Sequence, residues 1–182
     1  MQISEKFNII IEKHHYYESL NKKLLKDAET ADYSGGRSQA RDDTALFSSV
    51  TTTSKNIDLI NSWVKLLIFK NYPFLGDVNF MEDGILAPDS SFNMQTWFVK
   101  YREGDETKSH HHIPSFCSWV YFLRCPKGSP PLVFTQSRKK VKSEEGKVVI
   151  FPSWLRHHVP PNKCDGRVVL VGNVFHYTRD DK

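Results

Sequence analysis

The chain has 182 residues, 39% of them hydrophobic and 25% charged, with a formal net charge of +4. That length suffices for a real core in one domain, and no apolar run approaches the roughly 20 residues of a membrane span. So mild a charge does not select a nucleic-acid partner, which calls for a basic face interleaved with stacking aromatics. The N-terminal MQISEKFNIIIEKHH is charged and lacks a small-residue cleavage site, which predicts no secretory signal. In YYESLNKKLLKDA, Tyr17, Leu20, Leu24 and Ala28 recur at three- and four-residue intervals, one stripe of an amphipathic helix. TADYSGGRSQARDDT breaks that pattern at Gly35 and Gly36 and reads as a loop. A second helix is expected from about Ser54, its N-cap, with Ile57, Ile60, Val64, Leu67 and Ile68 on one side and an end at Pro73.

From about residue 92 the period changes to two. MQTWFVKY, FCSWVYFLRC, PLVF, KVVIF and RVVLVGNVF are short, β-branched and aromatic. Turn residues separate them at Glu103-Gly104-Asp105, Gly128 to Pro131, Glu145-Gly146 and Asn162 to Gly166. The basic run SRKKVK, residues 137–142, lies between two of these strands, is followed at once by Glu144 and Glu145, and reads as a solvated hairpin tip. The expected fold is mainly β with N-terminal helices, an antiparallel sandwich or jelly roll. Residues 1–182 form a single domain in this reading, with a helical support region over 1–75 and the β core over 92–178. Cys117, Cys125 and Cys164 are odd in number and fit neither a disulfide framework nor a CxxC site, so free thiols in a reducing cytoplasm are expected.

Five of the eight histidines fall in two clusters at strand ends, His110 to His112 and His157-His158. In extended backbone residues i and i+2 point the same way, so His110 and His112 can share a cavity while His111 faces out. One of His157 and His158 can join them. Three imidazoles on one side of a metal leave the opposite positions open, an arrangement that fits non-heme Fe(II). Arg167 opens the last strand and shares a face with Val169, Val171 and Asn173. A buried arginine needs an anion, and its planar fork suits a carboxylate. A metal with open positions and an arginine in the same barrel together meet the needs of an α-keto dicarboxylate. A core salt bridge from Arg167 to one of the protein's own acids is the alternative.

From about Trp97 to Tyr177 the chain resembles the 2-oxoglutarate- and Fe(II)-dependent dioxygenases, most closely the group common in phage and marine bacterial genomes, and the resemblance implies their double-stranded β-helix, a cupin-like jelly roll. The residues that carry the resemblance are WFVKYREGD, His110-x-His112 with Ser115 and SWVYFL, PLVF, EEGKVVIFPSWLRHHVPPN and RVVLVGN. YSGGRSQ is similar to the Gly-rich segment that precedes the barrel in that group. The resemblance implies iron held by His110, His112 and His157, with His112 standing where the wider superfamily has aspartate or glutamate. It also implies that Arg167 takes the far carboxylate of 2-oxoglutarate and that Tyr101 touches the co-substrate. Ser118 and Asn173, inward by parity, complete its polar contacts. Phe122, Val169 and Val171 stand where hydroxyl-bearing residues often assist the basic one. The activity implied is hydroxylation of a substrate whose identity is left open, with O2 consumed and 2-oxoglutarate decarboxylated to succinate.

Two other readings fit the same letters. Gly104, His110 and His112 match the first cupin motif, and Gly146, Pro152 and His157 much of the second, although Ser115 and Phe116 stand where the cupin glutamate is expected. A cupin metalloprotein gives Arg167 no special task. A jelly-roll binding module without turnover is the third reading. Trp97, Trp119 and Trp154 read as core or rim packing. Loops 102–109 and 136–146 are expected to select the substrate.

Overall fold

The computed structural model describes residues 9–34, 44–49, 53–71 and 92–176. The predicted loop glycines Gly35 and Gly36, and Pro73, lie outside them. The elements in chain order are β1 (Ile10–Lys13), α1 (Tyr17–Thr30), β2 (Leu46–Phe47), α2 (Lys55–Asn71), β3 (Phe92–Tyr101), β4 (Thr107–His110), β5 (Cys117–Arg124), β6 (Leu132–Phe134), β7 (Lys140–Val141), β8 (Lys147–Pro152), β9 (His157–Val159) and β10 (Arg167–His176). They form a six-stranded sheet, β1-β8-β5-β10-β3-β2, and a four-stranded sheet, β4-β9-β6-β7, with the strand pairings among the described residues all antiparallel. This is the expected jelly-roll architecture with helices preceding it.

Alternation along the large sheet decides which side chains face the second sheet. On β5, Val120 and Phe122 point inward and join Val149, Phe151 and Val169 with Leu132, Phe134, Val141 and Val159 of the small sheet. Trp119, Tyr121 and Leu123 point the other way and pack, with Val148, Ile150 and Leu170, against the helices. Both faces of the large sheet are thus covered, which is why its central strands read as nearly unbroken apolar runs. The helices supply Leu20, Leu24 and Ala28 from α1 and Ile57, Ile60, Val64 and Ile68 from α2, the stripes their periodicity predicts.

Local chemistry fixes the ends. Ser54 Oγ accepts the amide N–H of Ile57 at 3.1 Å, an N-cap on the first turn of α2. Asn21, an unpredicted buried polar residue of α1, donates to the Leu123 carbonyl at 2.7 Å and accepts the Tyr121 hydroxyl at 2.8 Å, tying the helix to β5. Gly146 has φ +80°, and a Cβ there would stand 2.3 Å from Cγ of Tyr17, so this turn beside α1 requires glycine. The SRKKVK segment forms the tip and returning strand of the β6–β7 hairpin, as expected.

Candidate metal centre

The two histidine clusters meet because β4 and β9 are paired. His110, last in β4, lies opposite His157, first in β9, beyond a register shift that follows Thr107. His112 lies past the end of β4. Its N–H donates to the Ser153 carbonyl at 2.8 Å, and its carbonyl accepts the Ser115 amide at 2.9 Å and hydroxyl at 2.7 Å. A turn, not strand alternation alone, therefore returns the third imidazole to the other two. Ring centroids stand 4.8 Å apart for His110 and His112, 4.4 Å for His110 and His157, and 5.1 Å for His112 and His157. One candidate ligand atom from each lies within 4.8 Å of the others. His111 is exposed and His158 half-buried, its Nδ1 3.4 Å from Thr135 Oγ1.

Backbone carbonyls orient two of the rings. His110 Nδ1 lies 2.7 Å from the Lys108 carbonyl and His157 Nδ1 2.9 Å from that of Leu155. A carbonyl only accepts, so each Nδ1 carries the proton and each neutral ring has its lone pair on Nε2. This is the outer-shell pattern that fixes metal-ligating imidazoles. His157 is buried against the ring of Phe151, with centroids 4.6 Å apart.

Arg167 opens β10 on the inward face and is 1% exposed. Its guanidinium carbon lies 4.4 Å from the Tyr101 ring centroid and 5.9 Å from that of Phe122. Its Nε and Nη1 have no hydrogen-bond partner, and among the described residues no carboxylate pairs with it. The salt bridge offered as the alternative for Arg167 is therefore missing among those residues. The Cys125 thiol feels its charge, but burial pushes that thiol up to about 12 against the pull of Arg167, so it stays neutral at physiological pH. Two aromatic faces do not replace the hydration of a buried cation.

One cavity joins these groups. His110, His112, His157, Tyr101, Ser118 and Arg167 all line it, with Trp97, Val169 and Val171 among its apolar walls. The Tyr101 hydroxyl bonds Thr107 Oγ1 at 2.9 Å with both residues buried. Thr107 also lines the cavity, and nothing in its polar surroundings singled it out. Ser118 Oγ donates to Asn173 Oδ1 at 2.8 Å across β5 and β10. Asn173 itself does not line the cavity; it holds Ser118 from the adjacent strand. Trp119, expected as packing, is 1% exposed and packs on Gly172, where a Cβ would stand 2.6 Å from its ring. Trp154 is 43% exposed.

No family model matches the sequence, and no curated protein matches it. Solved structures do match in shape. The viral collagen prolyl hydroxylase of Paramecium bursaria Chlorella virus-1, in its 2OG complex, superposes with a TM-score of 0.69 at 12% identity over 95% of this chain and 98% of that one. A Pseudomonas putida prolyl-4-hydroxylase gives 0.66 at 16% identity, covering 95% of each chain. A Trichoplax adhaerens prolyl hydroxylase, in complex with a hypoxia inducible factor peptide fragment, gives 0.68 at 15% identity over 94% and 84%. The antiparallel sheets, the helices behind them and these superpositions agree: the chain has the double-stranded β-helix fold of the 2OG-Fe(II) oxygenases.

Proposed function

We propose that the protein is an Fe(II)- and 2-oxoglutarate-dependent dioxygenase, acting as a hydroxylase through the cavity that joins His110, His112 and His157 to Arg167. The observation that carries this reading is the buried guanidinium of Arg167, with Nε and Nη1 unpartnered, in the same cavity as three convergent imidazoles. A buried cation of this kind calls for an anion, and a metal-binding triad in the same cavity calls for a ligand that is both chelator and anion. 2-Oxoglutarate has a keto acid at one end and a carboxylate at the other. The donor set fits iron: imidazole suits it, and three protein ligands leave positions open. When bound, iron would use O2 as the oxidant, with one oxygen atom going to the keto acid as it becomes succinate and CO2 and the other to the hydroxylated product.

The chain's own residues then have separate tasks. His110, His112 and His157 hold the metal, with the first and last kept in the Nε2-ligating tautomer by the carbonyls of Lys108 and Leu155. Arg167 receives the far carboxylate, and the Tyr101 ring against it keeps the fork in place. Ser118 contributes a hydroxyl to the cavity wall, oriented by Asn173. Trp97, Val169 and Val171 exclude water. Residues 92–178 are the catalytic core in this reading, and the N-terminal helices support it from behind. The names of the structural neighbours make a prolyl peptide the first substrate class to screen.

A cupin-type metalloprotein would need no 2-oxoglutarate, and the unpartnered Arg167 argues against it. Incubation with Fe(II), O2 and 2-oxoglutarate, followed by NMR for succinate, separates the two. Slow uncoupled succinate formation, lost in Arg167→Leu, is expected. Metal binding without any succinate would support the cupin reading.

A further inference from the structure

A second cavity, of about 490 Å³, opens at the end of the large sheet and shares Tyr101 and Arg167 with the histidine cavity. Its floor follows from strand register. Leu46 is opposite Lys100, Lys100 opposite Val168, and Val168 opposite Arg124, one row across β2, β3, β10 and β5. Residues directly opposite in antiparallel strands point to the same face. Val168 faces the helices, so Lys100 stands on that outer side; a register shift beside Val168 interrupts the alternation of β5 after Phe122 and sets Arg124 opposite Val168 on the same side, so the two cations are about 10 Å apart at the backbone with the small Val168 between them.

The cleft has more positive than negative charge, and its acids are turned elsewhere. Lys100, Arg102, Arg124 and Arg167 line it with Asp105 and Asp165. Asp105 Oδ2 accepts the Arg102 amide at 2.7 Å and lies 3.8 Å from Arg102 Nε, while Asp165 Oδ1 accepts the Glu103 amide at 2.9 Å. Lys100 Nζ lies 4.1 Å from the Tyr33 ring centroid, and Arg124 Nε donates to the Gly166 carbonyl at 2.6 Å. Among the described residues neither cation has a carboxylate at ion-pair distance. Burial lowers the Lys100 pKa; Glu29 opposes that shift and Arg124 adds to it, so the two cations repel across the floor.

We propose that this cleft is a second, separate ligand site that takes a small dianionic oxyanion, a phosphate or a short dicarboxylate, between Lys100 and Arg124. Such a ligand would neutralise the paired cations, and Leu46 would meet the methylenes of a dicarboxylate. This assignment does not depend on iron or on the oxygenase reading, because the row Lys100–Val168–Arg124 lies on the outer side of the strand whose inward face carries Arg167.

The test is titration of the metal-free protein with inorganic phosphate and, separately, with succinate, followed by the amide chemical shifts of Lys100, Val168 and Arg124. Saturable binding is expected with at least one probe, and which probe binds tells a phosphate site from a dicarboxylate site. Lys100→Gln and Arg124→Gln should each weaken it by about tenfold, the loss of one charge-assisted contact. Arg167→Leu should leave it in place, which separates this cleft from the histidine cavity. Far-UV circular dichroism of both Gln variants should match wild type, so that weaker binding reports the lost cation and not a lost fold. Failure of both probes to saturate overturns the proposal, as does binding lost in Arg167→Leu but kept in the Gln variants.

Discussion

At the scale of single residues, two histidines that adjoin in sequence differ in environment. His157 is 3% exposed with Nδ1 bound to a backbone carbonyl, whereas His158 is half-buried on the opposite side of β9. His157→Ala should abolish Fe(II) binding, measured by metal content after anaerobic loading, and His158→Ala should lower it far less. The reverse ranking would mean that the triad is wrongly assigned. Arg167 gives a second test. Arg167→Leu replaces an unpartnered buried cation with an apolar group, so the ligand-free protein should melt at the same temperature or higher. Wild type at a hundredfold excess of 2-oxoglutarate over Kd should gain about 2.7 kcal/mol, and the variant should gain nothing. A large drop in the melting temperature of the ligand-free variant would instead make Arg167 structural. Parity along the strands made most of these residues legible: Arg167, Val169 and Val171 do share the cavity face. Thr107 was not legible, because its place opposite Val159 depends on a pairing that no local pattern announces.

At the scale of elements, the legible ones are those buried on one stripe or on both faces. The helices announced themselves through Leu20, Leu24, Ala28 and through Ile57, Ile60, Val64, Ile68, all buried. The central strands did so through runs of β-branched and aromatic residues. β2, β4, β7 and β9 have two to four residues each, too few for any period to register, and their pairing comes from the sheet around them. That explains why the return of His112 was expected from alternation but is made by a turn through Ser115. Two predictions belong here. Ser54→Ala removes the N-cap of α2 and the 2.6 Å bond from Ser54 Oγ to Asp27 Oδ2, and should cost about 1–2 kcal/mol in chemical denaturation; Ser54→Asp should not recover it, because its carboxylate would meet that of Asp27. Gly146→Ala forces a Cβ toward Tyr17 at φ +80° and should cost about 1–3 kcal/mol; an unchanged midpoint would mean that α1 shifts freely to make room.

At the scale of the whole molecule, each sheet has its own part. The large sheet is backed by the helices and supplies Tyr101, Ser118 and Arg167; the small sheet and its loops supply the histidines. In the proposed function, a metal on one wall and an anion anchor on the other would hold one elongated ligand between them, which neither sheet would achieve alone. The same division explains why fold was more legible than substrate. The core must satisfy burial on both faces, whereas substrate selection rests with rim loops that carry no such constraint. The central claim is that the triad and Arg167 act on a single ligand. Its most direct test is anaerobic titration of metal-free protein with Fe(II), with and without 2-oxoglutarate, read by visible absorption. A weak charge-transfer band that needs both components, and that Arg167→Leu weakens, is the predicted result. Iron binding with no such band at any concentration of 2-oxoglutarate would contradict the account.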